Sequence, residues 1–159
     1  MIDIQSSSEE EPIIVMTRTL AAPRELVWAT FTDPKHVSKW FGGRGFETLV
    51  CEMDVRPGGK WRHVMRMPNG AELAMEVVYL EVDEPSRLVW QNVDHGQRAP
   101  GEHPSSVMTV TFEAAGNKTK WKLVARFLSM ADRELANRIG FANVIAEGND
   151  RLVELLRTL

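Results

Sequence analysis

The sequence is poor in several features that would point to a specialised class, and each shortage excludes something. It has one cysteine, Cys51, and one tyrosine among 159 residues. A lone cysteine rules out an intramolecular disulfide framework and fits a reducing, cytoplasmic setting. Net charge is only −3, with no dense Lys/Arg run, so no phosphate-binding surface for nucleic acid is expected. No apolar run approaches the roughly 20 residues of a membrane span, so no membrane insertion is expected. Glycine-rich phosphate loops, dinucleotide fingerprints and nucleophile elbows are missing, as are internal repeats. No cofactor is implied.

What is present suits a single α+β domain. Residues 1–12 are polar and acidic, without the basic start and apolar core of a secretory signal, and read as a flexible leader. Residues 13–159 read as one domain, long enough to bury a core without metal or disulfides. Ile13 to Leu20 is apolar and β-branched, as expected of a first strand. Pro23 suits the opening of a helix. Asp33, before Pro34, can cap a second short helix that ends near Trp40. The glycines at 42, 43 and 45 then force a loop.

From Phe46 onwards turn signals separate about six strands. Gly58-Gly59, Asn69-Gly70, Pro85 and Gly116-Asn117 mark the turns. In two strands the alternation is clean: Met108, Val110 and Phe112 oppose Thr109, Thr111 and Glu113, while Trp121, Leu123, Ala125 and Phe127 oppose Lys120, Lys122 and Arg126. After Ala131 no proline occurs. Ile139, Val144, Ile145, Leu152, Leu155 and Leu156 then recur at helical spacing, predicting one long amphipathic helix, loosened near Gly140 and Gly148. Strands in a run, flanked by helices, mean α+β rather than alternating βαβ units.

A series of short motifs carries a resemblance. Ala22-Pro23-Arg24-Glu25-Leu26-Val27-Trp28, Thr32-Asp33-Pro34, Lys39-Trp40-Phe41-Gly42, Asp54-Val55-Arg56-Pro57-Gly58-Gly59-Lys60-Trp61 and Arg87-Leu88-Val89 follow one another in order. In this the chain resembles the SRPBCC (START-like) superfamily, in the branch of homologues of the heat-shock-protein 90 ATPase activator. The resemblance spans about residues 13 to 159. It implies a helix-grip fold: a curved antiparallel sheet of about 6–7 strands wrapped on a long C-terminal helix, with two short helices after the first strand. It further implies an apolar cavity between sheet and helix, and no shared catalytic motif. Two segments depart from the family pattern. Trp40-Phe41-Gly42-Gly43 replaces a Trp-Trp-Gly-Pro, and Phe141-Ala142-Asn143 stands where Gly-Trp is common.

The expected function is binding of a hydrophobic or amphipathic small molecule. Trp61, Met65, Met75, Trp90, Phe141 and Ile145 are the candidate cavity residues, with Trp40 and Phe41 at the entrance. Large apolar groups suit such a pocket, and flexible thioethers adapt to a ligand. Any one of these aromatics could equally be ordinary core. His63 and Glu76 are the polar candidates. If Asn69-Gly70 makes a two-residue turn, they sit directly opposite each other on one face. Such a pair could orient a ligand or act as the acid and base of a cyclase- or hydrolase-like enzyme, and the only enzymatic reading rests on it. A protein-interaction module, serving a chaperone or another protein through Trp40-Phe41, is the remaining alternative, as a monomer or homodimer. Asp94, His95, Glu102 and His103 match no established metal-site spacing.

Overall fold

In the computed structural model, residues 2–5, 11–93 and 104–159 are described. Eight antiparallel strands form one sheet, in the order β1-β2-β8-β7-β6-β5-β4-β3. The strands are β1 (Asp3–Gln5), β2 (Ile13–Leu20), β3 (Glu47–Met53), β4 (Lys60–Arg66), β5 (Glu72–Asp83), β6 (Arg87–Asn92), β7 (Ser106–Ala115) and β8 (Lys118–Phe127). The expected 6–7 strands thus become eight. The added edge is β1, which lies inside the leader segment and pairs with β2 from Asp3↔Thr17 to Gln5↔Val15.

Two short helices, α1 (Arg24–Thr32) and α2 (Pro34–Trp40), follow β2. Asp33 separates them: its extended backbone ends α1, and its carboxylate accepts from the Lys35 N–H at the start of α2. Trp28 and Phe31 of α1 meet Phe112 of β7 edge-on, with ring centres 5.7 and 5.1 Å apart. Trp40 closes α2 by donating its indole N–H to the Thr30 carbonyl at 2.7 Å.

One face of the sheet is buried, and the alternation predicts which residues lie there. Val110, Phe112, Trp121, Leu123, Ala125 and Phe127 are all within a few per cent of full burial, while Lys120, Lys122 and Arg126 are exposed. Bulges between Thr48 and Val50, and between Tyr79 and Glu81, interrupt the ladders. Such insertions increase local twist, which helps the sheet curve around the helix it carries. At the turn after β3, a Cβ on Gly59 would stand 2.0 Å from the Asp54 carbonyl oxygen, so only glycine fits. Arg56 and Asp54 brace the same turn through a 2.7 Å ion pair.

The closing segment is two helices where one is expected: α3 (Met130–Arg138) and α4 (Phe141–Leu156). Gly140 adopts φ +85°, a left-handed conformation that ends α3 and redirects the chain. Gly148 leaves α4 unbroken and serves contact instead. A Cβ there would lie 3.0 Å from the Gly42 carbonyl oxygen, so glycine lets α4 seat against the loop after α2. Arg151 fastens that contact, donating to the carbonyls of Lys39 at 2.8 Å and Gly43 at 3.1 Å. Arg44 and Glu154 add a bidentate pair at 2.6 and 3.0 Å.

Candidate functional site

Between the buried sheet face, the end of α2 and α4 lies a cavity of about 700 Å³. Close-packed interiors leave few voids larger than a water, so a space of this size is a feature of the fold and not a packing fault. Its aromatic side is continuous. Phe31 meets Trp40 at 4.8 Å, Trp40 meets Phe41 at 5.6 Å, Phe41 meets Trp61 at 4.8 Å, and Trp61 meets Trp90 at 5.7 Å. Most of these contacts are edge-to-face, the arrangement aromatic quadrupoles favour. Met65, Met75, Met108, Leu123, Phe141 and Ile145 are among the other apolar residues that line it.

Of the residues expected at the cavity, Trp61, Met65, Met75, Glu76, Trp90, Phe141 and Ile145 line it. Trp40 and Phe41, expected at an entrance, also line it. Trp40 is 7% exposed and tied by its N–H to α1, and Phe41 is half-buried between Trp40 and Trp61. Three exposed residues, the polar Arg62 and Asn69 and the small Ala74, border the space at the β4–β5 hairpin.

His63 and Glu76 do not face each other. The ladder pairs His63 with Met75, and Arg62 with Glu76. The reason is the turn. Met67 N–H bonds to the Ala71 carbonyl, so Pro68, Asn69 and Gly70 form a three-residue loop, with Gly70 at φ +87°. That loop moves the register by one residue from the two-residue alternative, and a one-residue slip puts side chains on opposite faces. Glu76 instead approaches Lys60 Nζ at 3.4 Å.

His63 is completely buried, behind the aromatic side and outside the cavity lining. Its Nδ1 accepts from Trp61 Nε1 at 3.3 Å, and its Nε2 lies 2.9 Å from Thr48 Oγ1. The indole can only donate, so Nδ1 is the acceptor and Nε2 carries the proton given to Thr48. Burial lowers the imidazole pKa to about 4. This is a neutral, satisfied histidine that positions Trp61 and Phe41, with neither a carboxylate partner nor access to the cavity. Cys51 is half-buried on the same face, and desolvation pushes its thiol pKa up, away from nucleophilic use.

Asp94, His95, Glu102 and His103 lie outside the described residues. Among the described residues no three His, Cys, Asp or Glu side chains are grouped to hold a metal ion. No helix among them is long and apolar enough to cross a membrane.

Sequence reasoning missed the polar residues of α4. Asn149 lines the cavity and is 2% exposed; its Oδ1 accepts from Arg18 Nη1 at 3.0 Å. Arg18 also pairs with Asp150 at 2.7 Å. A signal did exist: Asn149 sits on the stripe of Ile145, Leu152 and Leu156, where a polar residue interrupts an apolar face.

Residues 21–157 match the family model described as Activator of Hsp90 ATPase homolog 1-like protein. Several solved structures share the fold across almost their whole length. A protein from Nitrosomonas europaea is 26% identical, with a TM-score of 0.83 over 96% of this chain and 97% of that one. One from Mycobacterium smegmatis is 22% identical, with a TM-score of 0.84 over 97% and 95%. One from Rhodobacter sphaeroides is 20% identical, with a TM-score of 0.85 over 100% and 99%. At the two lower identities the likeness is one of fold alone. No curated protein matches the chain.

Proposed function

The chain belongs to the family of activator of Hsp90 ATPase homolog 1-like proteins, and from that premise we propose that it binds a hydrophobic or amphipathic small molecule between its sheet and α4. Family and fold support a ligand-binding or co-chaperone-like domain in general terms. The observation that favours the ligand is the cavity of about 700 Å³, walled by aromatics and methionines. Small-molecule sites are typically concave, mostly apolar and of several hundred Å³. Filling such a space removes apolar surface from water at about 25 cal/mol per Å². A drug-sized molecule with few polar groups therefore has ample driving force.

A co-chaperone-like role through Trp40-Phe41 has less support. The loop after α2 turns these rings inward, buries Gly42 and Gly43, and gives its carbonyls to Arg151. An acid–base enzyme built on His63 and Glu76 lacks the necessary juxtaposition. The test is native mass spectrometry of protein purified from its source. A co-purifying lipophile at one per chain is the expected result. Protein that emerges without ligand, and also takes up none from a lipophilic extract of that source, would overturn the proposal.

A further inference from the structure

Several polar side chains around the cavity are already committed elsewhere. Asn69 accepts from the Ala71 N–H at 2.9 Å, and Asn149 accepts from Arg18 at 3.0 Å. Among the described residues of the lining, two carry charge, Arg62 and Glu76. They stand opposite each other in the β4–β5 ladder and alternate with the buried Trp61, His63 and Val77. Alternation sets their charged ends on the outer face, where Lys60 meets Glu76 at 3.4 Å.

Asn92 differs on each count. It shares the inner face of β6 with the buried Leu88 and Trp90, pairs with the fully buried Val77 in the ladder, and lines the cavity. Alternation and contact therefore agree on where its side chain goes. Asn92 is only partly buried, and its amide makes no hydrogen bond. Ser105 lies close by, because the β6–β7 ladder ends at Gln91↔Val107, one residue short of the position opposite Asn92. It too lines the cavity, is half-buried and leaves its hydroxyl unbonded.

An amide and a hydroxyl each offer both a donor and an acceptor, so the group that matches them best also does both. A carboxylate or ammonium placed there would give up hydration with no opposite charge on the inner face to replace it. We infer that Asn92, with Ser105 beside it, receives the polar end of the ligand, and that this end is an uncharged hydroxyl or carboxamide on an apolar body. The body then runs from Trp90 along Trp61 to Phe41, whose rings follow one another at 5.7 and 4.8 Å. The inference rests on the proposed binding function and narrows it from any lipophile to a neutral, singly polar one.

Four probes on one ring system test it: propylnaphthalene, naphthaleneethanol, naphthaleneacetate and naphthaleneethylamine, each substituted at the same ring position. Their affinities are read by displacement of N-phenylnaphthylamine. Naphthaleneethanol should bind the wild type at least about tenfold more tightly than the anion or the cation. Asn92→Leu should weaken the alcohol about tenfold, the worth of a hydrogen bond whose partner is left buried, and leave propylnaphthalene unchanged. Asn92→Asp keeps the size and adds a charge, so it should admit the ammonium probe that the wild type rejects; this gain of binding also guards against a poorly folded leucine variant. An anion or cation bound as tightly as the alcohol by the wild type, alcohol affinity untouched by Asn92→Leu, or no gain of the cation in Asn92→Asp would each overturn the assignment while leaving the cavity proposal standing. Failure of every probe to bind would overturn both.

Discussion

The buried His63 makes stability depend on pH in a way that can be worked out in advance. Its imidazole has a pKa near 6.5 in the unfolded chain and about 4 in the fold, where burial opposes the charged form. The unfolded chain therefore takes up a proton before the folded one does. The stabilisation is fully present above about pH 6.5 and is lost as pH falls towards about 4. Below that window the total loss is about 3 kcal/mol, and between pH 7 and pH 5 it is about 2 kcal/mol. Urea unfolding followed by tryptophan fluorescence at the two pH values gives the difference directly. His63→Gln is the control, because glutamine cannot titrate and still offers a donor and an acceptor to Thr48 and Trp61. The wild type should lose about 2 kcal/mol more than the variant over this interval. Since the other histidines are common to both proteins, they cancel. Equal losses would refute the reasoning, and with it the assignment of His63 as a neutral positioning residue.

Two further substitutions probe how α4 is placed. Arg151→Met removes donors from the carbonyls of Lys39 and Gly43 and should cost about 2–4 kcal/mol in chemical denaturation. Amide exchange over residues 41–46 should accelerate in the same variant; unchanged protection there would show that Arg151 does not hold the loop. At Gly140 a Cβ would meet nothing within 4 Å, so only its φ of +85° opposes a side chain. Gly140→Ala should therefore cost about 1–2 kcal/mol, and Gly140→Asn clearly less, since asparagine tolerates the left-handed region. Equal melting temperatures for the two variants would contradict that origin of the helix break.

The fold could be read from local signals that agreed with one another. Alternation along β7 and β8 named the buried face correctly, because period two is imposed wherever one side of a sheet is buried. The Asp33 cap and the glycine loop after Trp40 located both short helices. Legibility failed where the deciding quantity was one residue or one long-range contact. Pro68-Asn69-Gly70 supports loops of two or three residues equally well on paper, and the choice moved Glu76 away from His63. Gly140 resembled a weak point in a helix but is the break between two helices, because its φ depends on where α3 and α4 must pack. β1 escaped notice because a three-residue strand has no periodicity to detect.

At the site, sequence supplied residue types and the fold supplied the space. Trp61, Met75, Trp90 and Ile145 were readable as large apolar side chains on the correct elements. Whether they fill a core or surround a void depends on the distance between α4 and the sheet. Gly148, Arg151 and Arg44 set that distance by contacts across more than a hundred residues of chain. The Arg18–Asn149 bridge is likewise long-range, so only the interruption of the apolar stripe of α4 betrayed it.

The central claim, that a lipophile occupies the space between sheet and α4, is tested most directly by filling that space. Met75 is half-buried and lines the cavity from β5, so Met75→Trp adds volume into it without displacing packed core. Titration of the wild type with the fluorescent probe N-phenylnaphthylamine should be saturable, with one site per chain. The variant should fold with an unchanged or higher melting temperature and lose at least tenfold in affinity, about 1.4 kcal/mol. Binding that fails to saturate, or that is untouched in a folded Met75→Trp protein, would contradict the account.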